Sequence, residues 1–443
     1  MNAAFPPLGK QRTPKLPTVS DTVLDNGLRV LAVRRPGVPL VELRLRIPLA
    51  TPVGKGGETH VARASVLSET LLSGTTERDA SQIAATLQSL GAQLNATTDA
   101  DRLGFGASVL ASGLGGMLEL LAEVLTSATF PKREVEGARD RLVQHIAIAR
   151  SSPSVIAQEA LLARMFAGHP YALEIPSVES VTDVRASHLR ALHKNRAVPA
   201  GSILTMVGDI SPAKATAQVA KAFAGWQSSY QQQPTPHVPD QPGRVALLVD
   251  RPGAVQTTIR FGGSAPDRKD PGYPATVLAN LVFGGYFCSR WVANIREDKG
   301  YTYSPHSSID HPPAGSRIVA GADVATAVTA PALLETLYEL GRIASVPVTQ
   351  EELDQARRYA IGTLALGTAS QAGLAGLVSQ LAAAELGLDY LRDYPKGLEA
   401  VTVDDVLEAG ARCYAPGRLT PVLVGDRAVI EDSLRGLVPL EIA

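Results

Sequence analysis

Strict alternation of apolar and polar side chains at residues 41–47 predicts a β-strand that covers a core with one face only. The turn signal Asp25-Asn26-Gly27 precedes an apolar run at residues 28–33, which predicts a second strand just upstream. Residues 103–110 and 202–207 have the length and spacing of two more strands. The first half of the chain therefore provides the strands of a sheet.

The segments between these strands have helical sequence patterns. The predicted helices span residues 60–72, 79–90, 113–125, 134–149 and 211–223. The fourth of them opens with acidic residues and continues with arginines, an order that suits the helix dipole. Pairs of strands followed by runs of helices indicate an α+β fold with largely antiparallel sheets.

Short motifs of the first half recur in the same order in the second half, 216 to 218 residues later. The pairs are residues 35–37 with 251–253, 134–139 with 352–357, and 207–209 with 424–426. The order of elements recurs as well, from a predicted strand at residues 245–249 to another at 422–425. This period is too long for a solenoid array. We therefore expect two homologous halves, each a sheet packed with helices, that face each other across a cleft.

A chain of 443 residues is also longer than a single core usually supports, which favours two domains. Residues 1–20 contain four prolines and predict an extended N-terminal arm. A Pro- and Gln-rich stretch at residues 230–243 has the composition of a linker and falls where the repeat requires a boundary. The two halves are accordingly predicted at residues 21–229 and 244–443.

Charge and composition exclude several classes of partner. A net charge of −1 offers no electrostatic attraction to nucleic acid or to an anionic membrane. The longest apolar stretch, residues 103–125, is broken by Glu119 and Glu123 and is not a membrane span. Residues 1–20 lack the apolar core of a signal peptide, so the compartment stays open between the cytoplasm and, for a processed chain, the bacterial periplasm. Cys288 and Cys413, the only cysteines, are expected to be two buried thiols.

Four segments together resemble the pitrilysin-type metallopeptidases, in particular the branch of the mitochondrial processing peptidase and its bacterial relatives. These segments are residues 24–30, 70–75, 168–171 leading to 207–209, and 296–304. The resemblance runs over nearly the whole chain and rests on the order and spacing of the segments. Internal duplication is itself a property of that family.

Active members of this family carry the zinc motif His-x-x-Glu-His on the helix that precedes a Gly-Thr pair. Counted back from Gly74-Thr75, the motif places fall on Ser65, Ser68 and Glu69. A one-residue gap moves Glu69 to the catalytic Glu place but supplies no His. The more distant Glu ligand of the family corresponds to His145. The resemblance thus implies a degenerate zinc site with no metal bound by this chain.

An unconventional zinc site remains as an alternative, with His60, Glu58, Glu69 and His145 as its candidates. Zinc needs three protein ligands that converge at about 2 Å, and nothing in this spacing brings them together. For each of these residues an ordinary structural or surface role is the favoured interpretation.

The second half retains candidate site residues of the family, whereas the first half lacks the histidines of the zinc motif. The resemblance implies that Arg296 and Tyr303 match the Arg and Tyr that family members place opposite the zinc. Such donors stabilise the oxyanion of peptide hydrolysis or bind the substrate carbonyls. Tyr301 is a weaker second candidate for the aromatic role. Outside this resemblance the alternative is an ion-paired Arg and a packed Tyr.

The predicted function is that of a non-catalytic subunit in a heterodimeric zinc endopeptidase or oligopeptidase. A homologous partner would carry His-x-x-Glu-His and Zn²⁺, and this chain would supply Arg296 and Tyr303 to a peptide or unfolded protein substrate. Two alternatives remain: an inactive scaffold or binding protein, or an autonomous metallopeptidase with unconventional ligands. The isolated chain could also form a homodimer, because a surface built to meet a similar partner can pair with itself.

Overall fold

The computed structural model describes residues 17–238 and 243–443, which form two six-stranded sheets covered by helices. The first sheet has the order β1-β2-β6-β3-β5-β4. Its strands are β1 (Val19–Val23), β2 (Arg29–Arg34), β3 (Leu40–Pro48), β4 (Gln93–Thr98), β5 (Arg102–Leu110) and β6 (Ile203–Gly208). Only β2 and β6 run parallel; the other neighbours are antiparallel.

Eight helices accompany this sheet among the described residues. They are α1 (Gly56–Thr70), α2 (Ala80–Ser89), α3 (Leu114–Ser127), α4 (Lys132–Ala149), α5 (Pro153–Met165), α6 (Val178–Thr182), α7 (Ala186–Arg196) and α8 (Pro212–Ala222). Asp79 caps α2 in a capping box with Gln82, and Pro residues start α5 and α8. The boundaries of the predicted helices are therefore set by local sequence signals.

The second sheet has the order β12-β7-β11-β8-β10-β9. Its strands are β7 (Ala246–Asp250), β8 (Gln256–Ser264), β9 (His306–Asp310), β10 (Arg317–Ala325), β11 (Thr420–Gly425) and β12 (Leu440–Ile442). β7 lies parallel to both β11 and β12, and the remaining pairs are antiparallel. The α+β prediction is confirmed. Toward one side, the first sheet contains one parallel pair of strands and the second sheet contains two.

The helices of the second half repeat those of the first. They are α9 (Tyr273–Asn280), α10 (Arg290–Val292), α11 (Thr329–Ser345), α12 (Gln350–Gly367), α13 (Gln371–Ala383), α14 (Tyr390–Ala400), α15 (Val403–Cys413) and α16 (Arg427–Arg435). Wide π-type turns extend α9 over Leu281–Gly285 and α10 over Ala293–Asp298. Each half has its own apolar core between its sheet and its helices.

The two halves are joined by a reciprocal exchange of helices. Helix α5 belongs to the first half but packs on β8 and β11, where Leu161 meets Val422 and Val424. Its repeat equivalent, α13, packs on β3 and β6 of the first sheet, where Val378 is buried with Val207. Burying one such side chain stabilises the folded state by roughly 1.5–3 kcal/mol. Each sheet is thus completed by a helix from the other half.

The predicted arm at residues 1–20 lies mostly outside the described residues, and β1 begins within it at Val19. Residues 230–238 of the predicted linker contain no helix or strand and pack against both halves. His169 Nε2 lies 2.8 Å from the carbonyl oxygen of Pro236, and Val238 donates to the carbonyl oxygen of Ala314 at 2.7 Å. The remainder of the linker includes residues 239–242, which the structure does not describe.

No single helix in the described part of the chain is long and apolar enough to cross a membrane. Helices α12 and α13 meet those criteria only as a pair, with a bend of 108° between them.

The prediction of two buried thiols is wrong for one cysteine. Cys413 is buried beneath the second sheet, but Cys288 is exposed, because it lies in the short connection between the two wide turns of that half.

Candidate functional site

The positions of the degenerate zinc motif lie on α1, and their side chains bond within the protein. Ser65 Oγ donates to the carbonyl oxygen of Val61 at 2.9 Å, and Ser68 Oγ donates to that of Ser65 at 2.9 Å. These hydroxyl groups bond back to their own helix, as serines in helices commonly do. The carboxylate of Glu69 lies 3.9 Å from Arg141 Nη2 on α4. This set of side chains does not fit a zinc ion.

His145 lies on the exposed face of α4 and belongs to no cluster of ligands. Among the described residues, no group of three His, Cys, Asp or Glu side chains converges as a metal site would require. That this chain binds no zinc stays a prediction.

His60 and Glu58 have structural contacts instead. His60 is buried, and its Nε2 lies 3.1 Å from the carbonyl oxygen of Leu49. Burial lowers the pKa of His60 to about 4, so the ring is neutral at pH 7 and its Nε2–H donates this bond. The carboxylate of Glu58 accepts the backbone N–H of Ser177 at 3.1 Å. Both side chains therefore tie α1 to its neighbours in the first half.

A cavity of about 850 Å³ lies between the two halves. Helix α1 forms part of its wall with Val61, Ala64 and Ser65, and the β4–β5 turn contributes Asp101. The second half contributes mainly polar and charged side chains, among them Arg268, Asp310, His311 and Arg317. The predicted cleft is therefore present, and Ser65, one of the degenerate motif positions, faces it.

Tyr171 links the two halves at the edge of this cavity. Its hydroxyl donates to Asp101 Oδ2 at 2.9 Å and accepts the backbone N–H of Ala314, in the second half, at 2.8 Å. Burial raises the pKa of Tyr171, and the charge of Asp101 raises it further. Burial also raises the pKa of Asp101, against the hydrogen bonds from Thr235 and Tyr171. The Gly168-His-Pro-Tyr171 segment thus helps to join the two halves of the chain.

The structure brings Arg296 and Tyr303 together on the surface of the second half. The guanidinium carbon of Arg296 lies 5.0 Å from the centroid of the Tyr303 ring, and the ring is 82% exposed. Phe287, which sequence reasoning did not single out, lies on Arg296 as well, at 4.5 Å, and is 58% exposed. Arg296 Nε is 3.3 Å from a carboxylate oxygen of Glu297. Arg296, Phe287 and Tyr303 are called the aromatic clamp below.

The aromatic clamp does not line the cavity between the halves. None of its three side chains is among the described residues of that cavity wall, which includes Ser65 of the degenerate motif. The exposed clamp and Ser65 of the degenerate motif therefore lie on different surfaces of this chain.

Tyr301 has a different environment from Tyr303. Its ring is half-buried against the core of the second half, and its backbone N–H donates to the carbonyl oxygen of Ile295 at 2.8 Å. Gly300, at φ +65°, makes the turn that separates the two tyrosines from the preceding helix. Of the two candidates, only Tyr303 is exposed and in contact with Arg296.

An ion pair anchors the segment that carries Arg296. Arg290 is buried, and its Nε and Nη2 donate to the two carboxylate oxygens of Glu352 at 2.6 and 2.7 Å. Burial alone would raise the pKa of Glu352, but hydrogen bonds from Arg290 and Thr349 and the charge of Arg290 lower it to about 2. Sequence reasoning missed this pair; the capping-box pattern of Thr349 and Glu352 was the signal available for one side of it.

Helix α11 holds the same segment from the other side. Asn294 Nδ2 donates to carboxylate oxygens of Glu335 and Glu339, both at 3.0 Å. The indole N–H of Trp291 donates to Thr336 Oγ1 at 3.0 Å, and the ring is fully buried. The backbone below Arg296 is therefore fixed by polar contacts on two sides. A guanidinium group and a phenol held in this way are suited to donating hydrogen bonds to a carbonyl, a carboxylate or an oxyanion.

Two family profiles match successive parts of the chain. Residues 64–177 match the profile described as insulinase (peptidase family M16), and residues 183–359 match the one described as the peptidase M16 inactive domain. Together they span most of both halves, and the first begins immediately before Ser65.

Curated relatives of similar length are named as zinc proteases. The chain is 26% identical to an uncharacterized zinc protease of Mycobacterium tuberculosis over 430 residues, which cover 94% of this chain and 96% of the relative. It is 28% identical to an uncharacterized zinc protease of Mycobacterium leprae over 298 residues, or 66% of each chain.

Solved structures share the fold across nearly the whole chain. The peptidase M16 inactive domain from Pseudomonas fluorescens superposes with a TM-score of 0.84 at 23% identity and covers 92% of this chain and 98% of its own. A protease from Helicobacter pylori gives the same TM-score at 20% identity and covers 92% and 100%. The resemblance to pitrilysin-type peptidases is confirmed: this chain belongs to peptidase family M16.

Proposed function

We propose that this chain is the non-catalytic subunit of a heterodimeric zinc peptidase, and that it supplies Arg296 and Tyr303 to a metal centre held by a homologous partner. The observation that carries the proposal is the contrast between the two candidate sites. The motif positions on α1 are engaged in local hydrogen bonds, whereas Arg296 and Tyr303 are adjacent and face outward. The first half lacks the zinc ligands of the family, whereas the second half keeps the Arg and Tyr. This contrast favours an active site that is completed by another chain.

The position of the aromatic clamp supports a role in trans. Because the clamp is not part of the cavity wall between the halves, it is free to face a second chain. The partner would carry His-x-x-Glu-His and Zn²⁺, which activates the attacking water. A peptide or an unfolded segment would lie between the two chains.

The chemistry of peptide hydrolysis requires donors of this kind. The scissile carbonyl oxygen becomes an oxyanion in the transition state, and fixed hydrogen-bond donors stabilise it. The planar fork of N–H groups on the Arg296 guanidinium matches a carbonyl or an oxyanion. The Tyr303 hydroxyl adds a neutral donor beside it. Both residues therefore bind substrate in the proposal, and neither transfers a proton.

The experiment compares hydrolysis of fluorogenic peptides by this chain alone, by a candidate homologous partner that carries His-x-x-Glu-His, and by the mixture. We expect activity that depends on the mixture and is lost with EDTA. EDTA-sensitive hydrolysis by this chain alone, with stoichiometric zinc, would identify an autonomous peptidase instead. A partner whose activity is unaffected by this chain would favour the scaffold alternative.

In the active mixture, Arg296→Ala should lower turnover by roughly 10²–10³-fold, the range for one oxyanion donor. Arg435→Ala is the matched control, because Arg435 is an exposed arginine of α16 that pairs with Glu431 away from the clamp. Size-exclusion chromatography establishes that both variants still assemble. Unchanged turnover in the assembled Arg296→Ala complex would remove Arg296 from the mechanism.

A further inference from the structure

We infer that Phe287 is a positioning residue of the Arg296–Tyr303 site: its ring, together with that of Tyr303, holds the Arg296 guanidinium in place. The role of the site in hydrolysis rests on the proposed function, whereas the holding of the guanidinium is a property of this chain alone. Phe287 belongs to neither of the two cores and has no other explanation in the fold.

The clamp geometry carries the inference. Phe287 and Tyr303 approach the guanidinium of Arg296 at 4.5 and 5.0 Å, within the distance at which a cation interacts with an aromatic face. Within residues 17–238 and 243–443, the one carboxylate paired with the Arg296 side chain is that of Glu297, near Nε. The Nη groups are thus left for a ligand, while the two rings restrict the motion of the guanidinium plane.

The backbone before Phe287 is placed by two glycines. A Cβ on Gly284 would meet the ring of Trp291 at 2.9 Å, and a Cβ on Gly285 would meet the side chain of Asn280 at 2.5 Å. The Gly284-Gly285 pair therefore allows the wide turn to pack closely on the core. Tyr286, the next residue, lies on the ring of Tyr359 at a centroid distance of 5.0 Å. Phe287 follows directly and points outward.

Helix α12 supports the segment that carries Phe287 and Arg296. Tyr359 holds Tyr286, and Glu352, two turns earlier on the same face, holds Arg290. Phe287 and Arg296 are thus carried by one segment that is attached to α12 at two points.

The first test uses the isolated chain and the NMR resonance of the Arg296 Nε–H group, assigned by its loss in Arg296→Lys. Ring currents from the two aromatic rings should place this resonance upfield of those of exposed arginines. Phe287→Leu should move it downfield, and Phe287→Tyr should leave it in place. Tyr338→Leu is the matched control, since Tyr338 is an exposed aromatic of α11 with 59% exposure. A resonance unmoved by Phe287→Leu would overturn the inference.

The second test uses the assembled peptidase. Phe287→Leu should lower kcat by about 2- to 5-fold with little change in KM, the effect of losing one exposed cation–π contact. Phe287→Tyr should restore kcat. In an Arg296→Gln background, Phe287→Leu should have no further effect, because it acts through Arg296. Additive losses would show a merely structural role and would overturn the inference.

The two tests separate the inference from the proposed function. An inactive mixture with the expected NMR shift would refute the proposed function and leave the positioning role standing. An active mixture without the NMR shift would support the proposed function and refute the positioning role of Phe287.

Discussion

Tyr171 shows how much one hydroxyl group can contribute to the joining of two halves. The Tyr171 oxygen donates to Asp101 and accepts from the backbone of Ala314, so its removal leaves a buried N–H without a partner and takes one donor from the Asp101 carboxylate. An unsatisfied buried polar group costs more than the net value of the bond it loses.

Tyr171→Phe is therefore expected to lower the free energy of unfolding by about 1–3 kcal/mol. Urea denaturation of the variant and the wild type measures the difference. Tyr338→Phe removes a hydroxyl from an exposed ring and should change stability by no more than about 0.5 kcal/mol. Equal stability of Tyr171→Phe and the wild type would show that this hydroxyl does not join the halves.

The loss of the zinc motif follows from residue identity alone, so this part of the site could be predicted from the sequence. Ser65 and Ser68 cannot replace histidine as zinc ligands, whatever their geometry. The aromatic clamp could be predicted only in part. Arg296 and Tyr303 were found by resemblance, but the contact of Phe287 with Arg296 depends on a wide turn and on two glycines that pack closely. No periodicity in the sequence marks such a contact.

At the scale of elements, α12 combines a helix cap with an ion pair. Glu352 accepts the backbone N–H of Thr349 and binds the buried Arg290, so one carboxylate fixes both the start of α12 and the segment of the clamp. The lowered pKa of Glu352 means that its charged form is favoured in the folded state. The stability from this group is present above the unfolded pKa, near 4.5, and is lost as the pH falls toward about 2.

Glu352→Gln keeps a cap-competent side chain but leaves Arg290 without its counter-ion. We expect a loss of about 2–3 kcal/mol at pH 7, below the usual cost of a broken buried pair because Glu352 is partly solvated. The difference from the wild type should shrink between pH 4.5 and 2, as measured by denaturation at several pH values. Glu351→Gln, at the exposed neighbouring position, is the matched control. A pH-independent difference would contradict the assigned ion pair.

Most elements could be predicted because their signals are local. The strand at residues 41–47 and the helix that starts at Pro212 are confirmed almost to the residue. Strand β4, Gln93–Thr98, was missed because its side chains are mainly polar and it lies at the edge of the sheet. The packing of α5 and α13 on the opposite sheets could not be predicted, since an apolar helix face does not specify which sheet it covers.

At the scale of the whole molecule, the exchanged helices should hold the halves together without the linker. We predict that fragments 1–240 and 241–443, expressed together, remain associated because each buries a helix of the other. Affinity purification through a tag on one fragment measures the association. Recovery of the tagged fragment alone would contradict the packing.

A variant pair on α5 sharpens this experiment. Leu161→Asp places a charge against Val422 and Val424 and should abolish the association. Ala163→Asp puts the same charge on an exposed position of the same helix and should have no effect.

The reciprocal exchange of α5 and α13 has the form of a domain-swapped dimer whose two protomers share one polypeptide. A single repeat on its own would expose both a helix and an uncovered sheet face. Two copies related by a twofold axis would each cover the sheet face of the other with this helix. Fusing them replaces a bimolecular encounter by an intramolecular one at an effective concentration on the order of millimolar. The two halves stay paired at any dilution, and each is then free to change its own sequence without losing its partner.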